Sequence, residues 1–251
     1  MIRPEPPPRP WRLRRLRVCG STERELDSWL TTLALAERSD PAATLPLAVR
    51  AERQRHGHGQ QGRIWQAPQG GVWLSAALPW PAADGAALGL AVAVGLALQL
   101  EDLGLQPRLK WPNDLLVRGR KLAGLLPRLR LRGDRVRWAR VGIGLNGVNR
   151  VPAGAISLAA ALMVPGQRRL PIWHPQACPR RLEQRVLAAL NWAMASSHRP
   201  EWVRLLAEQR LWRPAGGFEL AGCTWQIDGL DLDGALRLRR GTQSCRVQRH
   251  F

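Results

Sequence analysis

The apolar residues of the chain recur with helical spacing in some segments and with strand spacing in others. After Ser21 and Thr22, the segment ERELDSWLTTLALAER places its apolar residues on one side of an amphipathic helix, which a hydroxyl side chain would cap. The stretch from Ala86 to Leu100 is almost wholly apolar and is shorter than the roughly 20 residues needed to cross a bilayer. It therefore predicts a buried helix. Two further helices are predicted at 176–198 and 200–212.

Alternating segments and short apolar runs bounded by Gly or Pro predict strands. The first begins near Trp11, and LPLAVRAE and GGVWLSAALPW give the next two. A hairpin is predicted through VRGRKLAGLLPRLRL and VRWARVGIGLN, and a Pro/Gly-rich connection follows at 151–171. From about Arg213 onward, short segments alternate with turn signals, which predicts a small β-barrel. These signals are Ala215–Gly217, Asp228–Gly229 and Asp233–Gly234.

The order of these elements predicts a tail and two domains. Residues 1–10 form a proline-rich tail, residues 11–212 a larger domain, and residues 213–251 a small C-terminal domain. The tail lacks the apolar segment of a signal peptide, and the four cysteines show no CxxC spacing. A cytoplasmic protein with reduced thiols is therefore expected.

The formal net charge of +19 raises nucleic acid as a partner. The arginines, however, are spread along the chain and alternate with apolar residues, as in LPRLRLRGDRVRWAR. This pattern is more typical of strands with arginine-rich solvent faces than of a DNA-binding helix. Acidic ligands such as ATP, or an acidic protein, are also compatible with the charge.

Only two lysines, Lys110 and Lys121, accompany 36 arginines. A lysine retained in so arginine-rich a composition indicates a position that the broad, planar guanidinium cannot fill. A narrow site that touches a carboxylate and a phosphate has that property. The alternative is that both lysines are solvated surface residues.

A glycine-rich loop, GHGQQGRIW at 57–65, follows a predicted strand. Such a loop lets backbone amides approach a ligand closely, although the glycines taken alone favour an ordinary turn. The loop fits neither the P-loop pattern nor GxGxxG. His56 and His58 have the spacing of a possible metal pair, but no other ligand type is visible beside them, so exposed loop histidines are favoured.

The segment KWPNDL is more specific than the loop. Pro112 restrains Trp111, so that Asn113 and Asp114 project from a rigid frame. Such an amide and carboxylate suit a ribose, a phosphate, magnesium or the proton of an incoming amine. A turn satisfied by its own backbone is the structural alternative. Further along, GIGLN at 142–146 predicts either a tight polar edge for a nucleotide or a close-packed strand end.

GHGQQGRIW, KWPNDL with RKLAGLL, and GIGLN, in this order, resemble the biotin protein ligase family, whose motifs are GRGRxGRxW, KWPNDL with KLAGIL, and GIGIN. The resemblance extends over roughly residues 13–240 and includes Ser21 and Thr22, Gln54 and the GALRL segment at 234–238. It implies an α+β fold with a mixed, largely antiparallel sheet flanked by helices, like the class II tRNA synthetase core, and a small SH3-like C-terminal β-barrel. The monofunctional type, without an N-terminal DNA-binding domain, is expected because the ST pair already begins at residue 21.

The resemblance implies an ATP-dependent ligase that forms biotinyl-5'-adenylate and then transfers biotin to a lysine of the biotin carboxyl carrier domain of acetyl-CoA carboxylase. Mg²⁺ would accompany ATP, and the residues that would bind the metal are left open. The implied catalytic residues are Lys121, Asp114 and Arg63. The implied biotin-binding residues are Ser21, Thr22, Gln54, Gly57, His58, Gly59, Gln60, Lys121, Gly124 and Leu126. The implied nucleotide-binding residues are Arg63, Trp65, Lys110, Asn113, Asp114, Gly142, Gly144 and Asn146.

Three positions depart from the family pattern. His58 and Gln60 stand where arginines are usual, and Glu23 stands where Asn is usual. Fewer cations beside an anionic intermediate predict faster loss of the adenylate. A lipoate or octanoate ligase and a degenerate, non-catalytic basic binding module are the competing hypotheses. No specific DNA binding, no membrane association, and a monomer or weak homodimer are expected.

Overall fold

The computed structural model describes residues 10–36, 45–80, 88–132, 135–163 and 174–248. The predicted tail thus lies outside the described residues apart from Pro10. The architecture is the predicted α+β type, with one large mixed sheet, helices on both of its faces, and a second, smaller sheet at the C-terminus.

The large sheet has seven strands in the order β1-β2-β3-β7-β6-β5-β4. Strands β1 and β2 are parallel, as a strand–helix–strand crossover requires, and every other neighbouring pair is antiparallel. The largely antiparallel sheet is therefore confirmed. Its strands are β1 Arg12–Cys19, β2 Leu47–Gln54, β3 Val72–Leu78, β4 Arg108–Lys110, β5 Asp114–Val117, β6 Arg120–Arg132 and β7 Arg135–Leu145.

The helices divide between the two faces of this sheet. Helix α1 packs Leu26, Trp29 and Leu30 against Leu47, Val49 and Ala77. Helices α2 and α4 pack against the opposite face and against each other in the main core, where α2 is buried along almost its whole length. The helices are α1 Thr22–Ala36, α2 Leu88–Glu101, α3 Leu158–Leu162, α4 Pro179–Ser196 and α5 Pro200–Gln209.

Strand alternation decides what lies on the α1 face of β6 and β7. On β7, Val141, Ile143 and Leu145 belong to the main core, so Gly142 and Gly144 face the other way. The register places Gly144 opposite Gly124 of β6. On the α1 side, Gly124, Gly142 and Gly144 therefore leave the centre of the sheet without side chains of its own.

The C-terminal strands form a four-strand antiparallel sheet in the order β11-β10-β9-β8. Closure into an SH3-like barrel stays a prediction. The turn expected at Asp228–Gly229 is wrong, because both residues lie within β9, where the register to β10 shifts. These strands are β8 Phe218–Leu220, β9 Cys223–Leu230, β10 Leu236–Arg240 and β11 Gln243–Val247.

The connection expected at 151–171 contains helix α3, so it is not wholly irregular. Ser157 caps this helix, since its side chain accepts a hydrogen bond from the Ala160 amide. Residues 164–171 of the predicted connection lie outside the described residues.

Candidate active site

The KWPND segment is the turn between β4 and β5. Lys110 ends β4 opposite Asp114, the first residue of β5, and a cis peptide bond joins Trp111 to Pro112. The Asn113 side-chain amide donates to the Leu125 carbonyl (2.8 Å), and the Asn113 carbonyl accepts from the Leu125 amide (2.8 Å). The turn is thus fastened to β6 and fixes the direction of Asp114.

Lys121 enters the same site from β6. The β5–β6 turn uses positive φ angles at Arg118 (53°) and Gly119 (71°), the conformation of a tight hairpin. The Lys121 ammonium lies 2.7 Å from Oδ1 of Asp114 and 5.0 Å from the centroid of the Trp65 ring. An ion pair and a cation–π contact therefore hold this charge in one place.

A cavity of about 200 Å³ extends over the α1 face of the sheet. It receives the Lys121–Asp114 pair, the glycine-rich loop and the start of α1. Of the predicted residues, those that line it are Ser21, Thr22, Gln54, His58, Gly59, Gln60, Arg63, Trp65, Asn113, Asp114, Lys121, Gly124, Leu126, Gly142 and Gly144.

A buried polar cluster lies in this cavity. Oε1 of Gln54 accepts from the Thr22 amide (2.8 Å) and from the Thr22 hydroxyl (2.9 Å), while Ser75 lies 2.9 Å from the same hydroxyl. The amide at the first residue of α1 is therefore capped by Gln54, and the hydroxyl of Thr22 faces the cavity cluster. The side-chain amide of Gln54 also carries an NH₂ group, so the cluster contains donors as well as acceptors.

Trp65 lies on the glycines of the sheet. A Cβ on Gly144 would come within 2.4 Å of the indole ring, and one on Gly124 within 2.8 Å. The ring also meets Trp73 edge-on at 6.3 Å between centroids. Its Nε1 is buried and has no hydrogen-bond partner among the described residues. The glycines are thus required for the aromatic platform to reach the sheet.

The glycine-rich loop is a narrow hairpin above the cavity. His58 and Ile64 form a β-bridge, and the Gly59 amide donates to the Arg63 carbonyl (2.7 Å). At its tip, Gln61 (φ 54°) and Gly62 (φ 72°) adopt left-handed conformations. Arg63 is exposed and donates to Gln61 at 3.2 Å, so its guanidinium can turn toward an incoming anion.

Three predicted residues do not line the cavity. Lys110 is exposed, with its ammonium 5.5 Å from the Trp212 ring centroid. Gly57, the first residue of the loop, is buried. Asn146 is buried, and its side-chain carbonyl accepts from Asn149. Asn146 thus orders the turn after β7.

Two polar residues that line the cavity, Ser75 and Glu23, were missed by sequence reasoning. Ser75 is the one polar residue of the apolar strand VWLSAAL, a signal that a buried hydroxyl has a partner there. Glu23 was noted only as a departure from a family pattern, and it is a buried carboxylate on the cavity wall.

Within the described ranges, no group of three or more His, Cys, Asp or Glu side chains has the arrangement of a metal site. Among the same residues, no helix combines the length and apolar character needed to cross a membrane.

The fold and the cavity together define the class of this domain. Residues 26–146 match the biotin/lipoate A/B protein ligase family, and the chain therefore carries a domain of that family. The bifunctional ligase/repressor BirA of Bacillus subtilis is 38% identical over 139 residues, which cover 54% of this chain and 40% of that protein. A biotin–[acetyl-CoA-carboxylase] ligase of Mycobacterium tuberculosis is 29% identical over 239 residues, which cover 83% of this chain and 82% of that protein.

The fold extends beyond the matched segment. The biotin protein ligase from Aquifex aeolicus, solved in complex with biotin and ATP, is similar with a TM-score of 0.70 at 22% identity. The similarity covers 94% of this chain and 95% of that one. At this level of identity it establishes a shared fold.

Proposed function

We propose that the chain is an ATP-dependent biotin–protein ligase that forms a C–N bond, of the biotin–[acetyl-CoA-carboxylase] ligase type. One observation carries the proposal: the Lys121–Asp114 ion pair opens onto the same cavity as the buried Thr22–Gln54–Ser75 cluster. A fixed cation and a polar binding cluster are the two features that activation of biotin requires.

The polar cluster favours biotin over lipoate. The ureido ring of biotin has a carbonyl and two N–H groups, which need partners when they are buried. Thr22, Gln54 and Ser75 offer donors and acceptors, while Leu126 and the ring of Trp65 offer apolar walls. The dithiolane of lipoate has no matching polar groups, so each group of the cluster that it desolvated without a hydrogen bond would cost about 1–3 kcal/mol.

The cation end suits adenylation. A carboxylate oxygen of biotin attacks the α-phosphorus of ATP, and pyrophosphate leaves with the electrons of the broken P–O bond. Lys121 neutralises the carboxylate and the phosphate that approach it, and Arg63 of the loop adds a second positive charge. The face of Trp65, already packed on Gly144, provides an aromatic surface for adenine.

The transfer step uses the same geometry. The ε-amine of an acceptor lysine attacks the acyl carbon, AMP leaves, and the amine loses a proton. Asp114 is a carboxylate on the cavity wall that can take this proton.

The proposed acceptor is the biotin carboxyl carrier domain of acetyl-CoA carboxylase, and the proposed location is the cytoplasm. We expect a monomer or weak homodimer without specific DNA binding.

Mg²⁺ enters this proposal as the partner of ATP. Magnesium usually binds through one or two carboxylates together with the phosphates of its substrate. Asp114 fits such a role, since its carboxylate lines the cavity beside Lys121. The phosphates would then supply most of the ligands.

The test is exchange of labelled pyrophosphate into ATP, measured with biotin, with lipoate or with neither. We expect exchange that requires biotin and falls by about 10²–10³ in Lys121→Ala. Exchange with lipoate instead would transfer the assignment to a lipoate-type ligase. A folded wild type without exchange under any condition would support the non-catalytic binding module.

A further inference from the structure

One buried carboxylate joins three separate elements of the candidate site. Glu23 lies in the first turn of α1 and is 8% exposed. Its Oε2 is 2.9 Å from Nε2 of His58 in the glycine-rich loop, and its Oε1 is 3.2 Å from Nε of Arg128 on β6. Glu23 therefore connects the helix, the sheet and the loop at the cavity wall.

The contact with Arg128 has a structural reason. Arg128 lies opposite Arg140 in the β6–β7 register, so two cations are neighbours on the α1 face of the sheet. Helix α1 neutralises both, since Glu23 pairs with Arg128 and Asp27, one turn later, pairs with Arg140 at 2.5 Å. The ion pair of Asp27 connects α1 with the sheet. The carboxylate of Glu23 contacts the sheet through one oxygen and the loop through the other.

The imidazole of His58 lies between two acceptors. Nε2 faces the Glu23 carboxylate at 2.9 Å, and Nδ1 lies 3.4 Å from the His56 carbonyl. An N–H group at Nε2 can donate to the carboxylate. The charged groups around the outer side of this loop are Glu23, Arg24, Asp27, Arg55, His56 and Arg128.

His58 lies where the two strands of the loop pair with each other. It forms the β-bridge with Ile64, directly before Trp65, and the intervening residues 59–63 form the tip. A tether at His58 therefore restrains both strands of the narrow hairpin. Below it, the Trp65 amide donates to the Gly57 carbonyl and joins the two strands of the hairpin, and the His56 amide fastens the base by donating to the Gly20 carbonyl.

We propose that Glu23 and His58 form a latch that holds the glycine-rich loop over the cavity, and that both act as positioning residues. Both stand where biotin protein ligases usually have other residues, Asn and Arg respectively, and they contact each other. The pair thus provides a contact inside the protein at a position where the family usually has a loop arginine. Its effect on the adenylate rests on the proposed function, whereas its effect on the loop does not.

Hydrogen–deuterium exchange of the full chain without ligands tests the latch itself. We expect amides of residues 57–65 to exchange about threefold to tenfold faster in Glu23→Gln and in His58→Gln. The double variant should exchange no faster than either single variant, because one contact is lost in all three. His58→Arg should retain the protection, since arginine can donate to the same carboxylate.

Asp27→Asn is the matched control. It removes the companion ion pair of α1 with the sheet but has no contact with the loop, so exchange at 57–65 should stay at the wild-type rate. Equal acceleration in Asp27→Asn and Glu23→Gln would show that α1 docking, and not the latch, orders the loop. Unchanged exchange in His58→Gln would overturn the proposal outright.

Loss of bound adenylate measures the consequence for catalysis. After biotin and ATP are supplied and the excess is removed, Glu23→Gln and His58→Gln should lose the adenylate about threefold to tenfold faster than Asp27→Asn. Faster loop exchange with equal adenylate loss would refute the latch as a positioning device. A wild type that forms no adenylate refutes the proposed function and leaves the exchange result standing.

Discussion

The ammonium of Lys121 and the carboxylate of Asp114 lie 2.7 Å apart, although they come from different strands of the sheet. Asp114 is the last residue of the KWPND segment and the first of β5, and Lys121 is the second residue of β6, after the next hairpin turn. The two motifs that stand apart in the sequence therefore meet as one charged pair. The side chain of Lys121 is 34% exposed and that of Asp114 is 19% exposed, so a ligand can reach the pair while water screens it only in part.

Replacing Asp114 by Asn should leave Lys121 without its counter-charge and the incoming amine without a base. Hydrogen bonds to charged groups contribute about 1.5–3 kcal/mol, which corresponds to a tenfold to hundredfold loss of kcat. Biotin transfer to a carrier domain measures this loss. Asp27→Asn removes a different ion pair and should transfer at the wild-type rate; an equal loss in both variants would contradict a specific role of Asp114.

Gly144→Ala should displace the Trp65 ring, because the added Cβ would lie 2.4 Å from it. Overpacking of this kind costs about 1–3 kcal/mol in the free energy of unfolding, measured by urea denaturation. Gly142→Ala is the control on the same strand, since its Cβ would meet Leu126 at 3.4 Å and Ser75 at 3.9 Å, which are ordinary contact distances. A similar loss in Gly142→Ala would show that the strand itself, and not the Trp65 platform, requires glycine.

Thr22→Val should weaken biotin binding by removing the hydroxyl between Gln54 and Ser75. Loss of one such hydrogen bond, with Ser75 left unpaired, predicts a rise of about fivefold to tenfold in the KM for biotin with little change in kcat. Thr31→Val removes a hydroxyl from the exposed side of the same helix, where it donates to the Asp27 carbonyl. It should leave KM unchanged. An unaltered KM in Thr22→Val would remove the cluster from the biotin site.

Cys19 should resist alkylation in the folded protein. Burial, together with the charge of Glu25, raises the pKa of the Cys19 thiol to about 11. The reactive thiolate is therefore scarce at pH 8, whereas the half-buried Cys178, Cys223 and Cys245 are more accessible. Peptide mapping after iodoacetamide treatment measures this, and urea should make all four thiols react. Rapid native labelling of Cys19 would contradict its burial.

The raised pKa of the Cys19 thiol also makes the stability of the folded protein depend on pH. A raised pKa means that the folded state favours the neutral thiol. Its contribution to stability is complete below the ordinary pKa of 9.0 and is lost as the pH rises toward about 11. In Cys19→Ala, the part of the alkaline loss of stability that belongs to this thiol should disappear, as urea titrations between these pH values can measure.

The sequence could predict the elements because their patterns are local. The buried helix α2 follows from a continuous apolar run, and the β6–β7 hairpin follows from alternating residues around a turn. Most residues named from the motifs line one cavity, because glycine, proline and lysine at these positions constrain the backbone and charge directly.

What the sequence could not predict depends on contacts between distant segments. The pairing of Glu23 with His58 needs the α1 start and the loop to meet across the sheet, and two separate departures from a pattern do not disclose it. Likewise, the hydrogen bond that Asn149 donates to Asn146 depends on the turn after β7, and the residue types alone do not disclose it. The turn signal at Asp228–Gly229 failed because a long strand absorbs it as a register shift.

The two lysines also bear on where a stray acyl group would end up. The whole chain carries just these two side-chain amines. Lys121 forms an ion pair with Asp114, and Lys110 lies against Trp212. Amines are the groups that a mixed anhydride modifies most readily. A chain of this composition therefore offers few amines to the mixed anhydride that it is proposed to make, and one of the two lysine amines is held in an ion pair.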